Sequence, residues 1–249
     1  MNLAVDVKHR DNGRNMNADP QDFERMWQEK LSRAIDAVAG GDVRAKVMDG
    51  SGPLPPDAPS RQVVEWSRRT MERMVSRIGE NRAAEVMAQC ACRYPHSELQ
   101  IIRRRFEETG DVDPARRMLQ DRFESFLRET LKLEEGMVGE IVGRGWGPAG
   151  VKRGRRIVAT KIPKSENLAA YLGEKDAEKK RRYYCHCPRV RAAIELREKI
   201  PGVYCYCGAG YYKGIWEEIP QQPVRVEVLE SVLQGGEECK VEILLPAGV

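Results

Sequence analysis

Six of the seven cysteines in this chain fall in three Cys-x-Cys pairs: Cys90-Ala91-Cys92, Cys185-His186-Cys187 and Cys205-Tyr206-Cys207. Only 17 residues separate the last two pairs, and a histidine lies inside one of them. In extended backbone, residues i and i+2 point to the same face, so such a pair offers both sulfurs to one side. In a helix the same two residues stand about 200° apart and cannot meet one ion. The pairs therefore tie any thiol chemistry to the local backbone. Thiolate and imidazole are the ligands that zinc, copper(I) and iron–sulfur clusters select.

The chain has 249 residues, enough to bury a core without disulfide staples. It is 41% apolar and 32% charged, and no run of about 18 apolar residues spans a membrane, so no membrane partner is expected. The first residues lack the apolar stretch of a signal peptide, which points to a cytoplasmic protein with reduced thiols. That favours metal-binding or reactive cysteines over a disulfide framework. The net charge is +4, with clusters at Lys152-Arg153-Gly154-Arg155-Arg156 and Lys179-Lys180-Arg181-Arg182. Acidic residues are interspersed near the second cluster (Glu174, Asp176, Glu178), as on a solvated surface, and nucleic acid is not the expected partner.

Residues 1–19 are polar and aperiodic and read as a mobile tail. Residues 20–135 read as a helical region. A first helix is expected over about 19–38, with Phe23, Trp27, Leu31, Ile35 and Val38 at helical spacing. Gly40-Gly41 stops it, and 49–58 is a turn-rich linker. Further helices are expected near 60–78, 81–92, 97–108 and 114–131, with Gly79 and Pro95 as breaks. Amphipathic helices of this kind commonly pair, so a homodimer is among the arrangements open to the chain.

Residues 136–249 change character. Seven glycines lie in 136–154, read here as a flexible or ligand-covering loop. A phosphate loop is disfavoured because the Gly-Lys-Ser/Thr ending is missing. A strand is expected at 156–161, a helix at 189–199 after Pro188, an aromatic helix at about 209–218, and two strands at 224–232 and 239–245 joined by the turn Gln234-Gly235-Gly236-Glu237. The fold class is α+β: an N-terminal helical array followed by a domain with an antiparallel sheet and flanking helices.

The final stretch is the most specific. Gly210-Tyr211-Tyr212-Lys213-Gly214 is followed by a Val/Glu-rich strand (Val224, Val226, Val228, with Glu227), then Gly235-Gly236-Glu237-Glu238-Cys239-Lys240-Val241-Glu242-Ile243. Residues 183–245 resemble the C-terminal part of 4-vinyl-reductase-like domains, and the Cys-x-Cys-Pro and Tyr-Cys-x-Cys-Gly segments are similar to a related uncharacterised bacterial and archaeal family. Val241 stands where an aromatic is common. The resemblance implies a 4-vinyl-reductase-like α+β fold, a small and largely apolar or aromatic ligand, and cysteines and histidines as zinc ligands. It also implies a sensor or accessory role in tetrapyrrole, aromatic or methane-related metabolism.

The candidate metal ligands are Cys185, Cys187, Cys205 and Cys207, with Pro188 and Gly208 placed to turn the chain after each pair. His186 and Cys239 stand in reserve, His186 because it points away from its flanking cysteines in extended chain. Cys90 and Cys92 are additional thiols on a helix end. Six of the eight tyrosines fall within 34 residues with Trp216. Tyr184, Tyr206, Tyr211, Tyr212 and Trp216 could wall a ligand pocket or fill a sheet core. The leading expectation is a small-ligand-binding sensor or accessory protein with a zinc site. The alternative is a redox or thiol-dependent enzyme that uses an iron–sulfur centre or a nucleophilic cysteine. A nucleic-acid-binding regulator is the weakest reading, since no reading helix follows the cysteines.

Overall fold

The computed structural model describes residues 20–48, 52, 54–55 and 57–249, with side chains from residue 24 onward. The expected tail at 1–19, parts of the linker at 49–58 and the side chain of Phe23 lie outside the described residues.

The apolar stripe of the first helix forms α1 (Pro20–Ala39), which buries Trp27, Leu31 and Ile35. Gly40 turns the chain at φ 87°, but helix resumes at once as α2 (Gly41–Met48), which sequence reading did not foresee. α3 runs Ser60–Gln89 with a break at Gly79, whose φ of 76° and ψ of 163° are readily open only to glycine. The two expected helices are thus two arms of one bent element. α4 (His96–Thr109) and α5 (Val112–Ser125) follow, and α5 passes into a π-helical turn, Phe126–Thr130. Asp111 caps α5 by accepting from the Asp113 N–H at 3.0 Å.

The glycine-rich stretch is not one loop. It opens with α6 (Glu135–Gly143), turns at Gly145 and Gly147, and ends in β1 (Val151–Arg153). Glycine lowers helix propensity, but Val138 and Ile141 bury one face of α6 and outweigh that cost. After β2 (Arg156–Thr160) come α7 (Leu168–Gly173) and α8 (Ala177–Tyr184), both unforeseen. Then α9 (Pro188–Leu196), a 3-10 turn (Gly202–Cys205), α10 (Tyr206–Glu218), β3 (Arg225–Glu230) and β4 (Lys240–Leu244) complete the chain.

The described strands form one antiparallel sheet in the order β1-β2-β4-β3. Ala159 stands opposite Val241, and Val241 opposite Val228. Alternation sends Ile157, Ala159, Val241 and Ile243 to one buried face. Tyr212, Ile215 and Trp216 of α10 and Ile219 just beyond it pack on that face, as do Leu99, Ile102 and Leu119 of α4 and α5. A second core holds Trp27, Leu31, Ile35, Met71, Met74 and Met87 together with Tyr184, Cys185, Tyr204 and Val232, so it joins segments from both sides of residue 135. α3 lies against α1, α2, α9 and α10. At one crossing a Cβ on Gly210 would run into the Ala88 carbonyl oxygen, so α10 approaches α3 backbone to backbone.

Candidate thiol-rich site

Cys185, His186 and Cys187 form an extended link between α8 and α9. Cys185 has φ −74° and ψ 131°, Cys187 φ −77° and ψ 121°. Pro188 enforces this, because a residue before proline is pushed out of helical backbone, and proline itself suits the first turn of α9. Cys185 is buried and Cys187 half-buried, while His186 between them is exposed. Its ring is exposed, with Nε2 3.0 Å from the Ile162 carbonyl oxygen. Partial desolvation where the ring meets the adjoining chain, then the Lys161 ammonium, shifts its pKa down.

The third pair differs from the extended geometry that the sequence suggested. Cys205 closes the 3-10 turn at φ −71°, ψ −10°, and Cys207 is the second residue of α10. Tyr206 begins a helix rather than a strand because its apolar partners, Ala209, Tyr212, Ile215 and Trp216, recur at helical spacing. The two sulfurs therefore diverge. Cys205 feels the thiols of Cys239 and Cys187, whereas Cys207 feels Cys187, Cys90 and Cys92. The Cys207 Sγ lies 3.6 Å from the Cys90 carbonyl oxygen.

Cys90 caps the C-terminus of α3 and is buried, with Sγ 3.5 Å from the Val86 carbonyl, while Cys92 beyond it is exposed. Cys239 immediately precedes β4. Its carbonyl accepts from the Lys161 N–H at 2.9 Å and its N–H donates to the Tyr184 hydroxyl at 3.0 Å. The same hydroxyl donates to the Lys161 carbonyl, so Tyr184 pins the start of β4 to the end of β2. All seven cysteines are free thiols.

Burial is the main influence on this group. It pushes the thiols of Cys205 and Cys90 up to about 12 and raises Cys185, Cys207 and Cys239. At Cys185 the neighbouring Cys187 adds to the rise. The Lys161 ammonium opposes burial at Cys185, Cys205, Cys207 and Cys239. Among the described residues no three His, Cys, Asp or Glu side chains stand together as a ready-made metal cage.

Residues 161–249 match the model of a family of unknown function (DUF6144). The match takes in Cys185, Cys187, Cys205, Cys207 and Cys239 and leaves out Cys90 and Cys92. No curated protein and no solved structure matches the chain.

The aromatic candidates separate into the two cores. Tyr184 belongs to the core that holds Cys185, while Tyr212 and Trp216 belong to the one beneath the sheet. Tyr206 and Tyr211 are half-buried, and the Tyr211 ring stands 5.5 Å from that of Tyr212 at 88°. An open groove of about 350 Å³ lies elsewhere on α10, beside Arg93, Gly214, Glu217, Glu218 and Gln221.

Sequence reasoning passed over Arg189 and Lys161 as members of the site, and it counted Tyr204 only among the clustered tyrosines. Arg189 is 1% exposed, and its Cζ sits 3.7 Å from the Trp27 ring centroid. Its Nε and Nη2 face Glu24 of α1, with Nε–Oε1 at 3.3 Å. The Tyr204 hydroxyl lies 3.6 Å from the Cys187 Sγ, and its ring stacks on Trp27 at 5.7 Å. The available signal was position: Arg189 shares the buried face of α9 with Ala193, four residues on.

Proposed function

We propose that this chain is a small-ligand-binding sensor or accessory protein whose thiol-rich site holds a thiophilic metal ion, zinc in the first instance. One observation carries the reading. Two Cys-bearing junctions, each opening a helix, and the residue just before β4 carry Cys185, Cys187, Cys205 and Cys239, one buried and three half-buried, and the thiols of Cys185 and Cys205 are each influenced by those of Cys187 and Cys239. Cys187 and Cys205 are the cap residues of α9 and α10, so the positive ends of two helices favour negative charge there.

The donor set suits the metal. Four thiolates at about 2.3 Å are the chemistry of a closed, structural zinc centre. Cys185, Cys187, Cys205 and Cys239 form the best-supported set, since Cys207 is turned toward Cys90, and loading requires their side chains to rotate toward a common point. Cys207 and His186 remain in reserve. Zinc in such a site fixes the junctions before α9, α10 and β4 relative to one another. The resemblance of residues 183–245 to 4-vinyl-reductase-like domains supports the small apolar or aromatic ligand.

Metal content and an absorption spectrum on protein purified without oxygen test this. The expected result is about one zinc per chain and a featureless visible spectrum. Iron with sulfide and a broad visible band moves the reading to a redox protein on the same sulfurs. Absence of any thiophilic metal, with no uptake on reconstitution, overturns it.

A further inference from the structure

Three thiols stand outside the best-supported metal set: Cys90 and Cys92 at the end of α3, and Cys207 in the first turn of α10. The fold brings them together from distant parts of the chain. The Cys207 sulfur lies 3.6 Å from the carbonyl oxygen of Cys90, the residue that closes α3, and so rests against the short segment that joins Cys90 to Cys92. One turn further along the same face of α10, Gly210 meets Ala88 so closely that a Cβ there would strike backbone. A disulfide between two helices needs such an approach, because its Cα atoms must come within about 4.4–6.8 Å of each other. The two cysteines of α3 differ in access. Cys90 is buried, and its sulfur turns back along its own helix to the Val86 carbonyl at 3.5 Å. Cys92 lies past the helix end and is exposed, while Cys207 is half-buried.

We propose that Cys92 and Cys207 form a modification site that hydrogen peroxide converts to a disulfide between α3 and α10. The exposed Cys92 sulfur attacks the peroxide, the O–O bond breaks, and Cys92 sulfenic acid and one water result. The Cys207 sulfur then attacks the sulfenic sulfur. The S–S bond forms, the S–O bond breaks, and the oxygen leaves as a second water. Two thiols thus give up two electrons and two protons to one peroxide, which becomes two waters. Cys207 lies inside the family-matched stretch and Cys92 outside it, so the bond fastens the front helices to that stretch. Neither sulfur belongs to the best-supported metal set, and the proposal stands whether or not metal binds.

The test treats the folded full chain with equimolar hydrogen peroxide, blocks the remaining thiols with iodoacetamide, digests with trypsin without reductant, and identifies joined peptides by mass. Cleavage after Arg82, Arg93, Lys199 and Lys213 puts Cys90 and Cys92 on one peptide and Cys205 and Cys207 on another. The expected product joins residues 83–93 to residues 200–213, with fragment ions placing the bond between Cys92 and Cys207, and dithiothreitol separates the two again. Cys92→Ser and Cys207→Ser are each expected to lose the link, and Cys90→Ala to keep it. Cys92 is exposed, so its variant decides the matter even if Cys207→Ser fails to fold. Peroxide-treated wild type that carries sulfinic acid at Cys92 and no link overturns the proposal, as does a link that runs through Cys90 or survives in Cys92→Ser.

Discussion

Single residues decide how the thiols are held, and Tyr184 is the clearest case. Its hydroxyl receives the Cys239 N–H and donates to the Lys161 carbonyl. Tyr184→Phe keeps the ring, which packs 5.5 Å from Tyr171, but leaves both backbone groups unpaired in a dry place. It is expected to cost about 1–3 kcal/mol in a urea unfolding titration. The cysteines were legible at this scale because sulfur announces itself in a sequence. So was the outward turn of His186, which follows from extended backbone before Pro188. The basic residues were not legible: a buried Arg189 and a surface arginine look alike until Trp27 and Glu24, more than 160 positions away, are seen beside it.

Elements meet where backbone can approach backbone, and α10 meets α3 through Gly210. Gly210→Ala drives a methyl into the Ala88 carbonyl, with no flexible side chain to give way. The expected loss is about 1–3 kcal/mol or more, seen as a lowered Tm by circular dichroism. Gly214→Ala on the same helix is the control. Its new methyl would meet only the mobile end of Arg93 at 3.7 Å, and helix propensity favours it by about 0.5–1 kcal/mol. The helices with a full apolar stripe, such as α1, and the β3–β4 hairpin could be read from periodicity. α2, α6, α7 and α8 could not. α2 and α8 are short and charged and α6 is rich in glycine, so tertiary packing rather than local pattern makes them helical. The α10 N-terminus misled in a different way: aromatic residues and cysteine favour strands, yet the spacing from Ala209 to Trp216 is helical.

For the whole molecule, the thiols couple stability to pH. Burial raises Cys90 and Cys205 from an ordinary 9.0 to about 12, so the folded metal-free chain holds these protons more tightly than the unfolded one. That contribution is complete below pH 9 and is lost as pH climbs toward 12. Metal-free, reduced protein is expected to show a lower urea midpoint at pH 10 than at pH 7.5. With the proposed zinc bound, the protein should show the reverse dependence, losing stability on the acid side as protons compete with the ion for sulfur. None of the described helices is long and apolar enough to cross a membrane. The α+β class and the antiparallel sheet were legible in advance, because alternation and turn residues are local signals. How the front helices cover the rear was not, because no local signal reports which distant stripe a helix will meet. The sheet order has a bearing on any attempt to isolate the family-matched stretch. A fragment starting at Lys161 keeps β3 and β4 but discards β2, the neighbour of β4 on its other side. Lys240–Leu244 would then present a bare row of amides and carbonyls, and Arg189 would lose both Glu24 and the Trp27 ring. Such a fragment is a candidate for strand-to-strand self-association, so the recurrent part of this sequence and the part able to live alone in water are different lengths of chain.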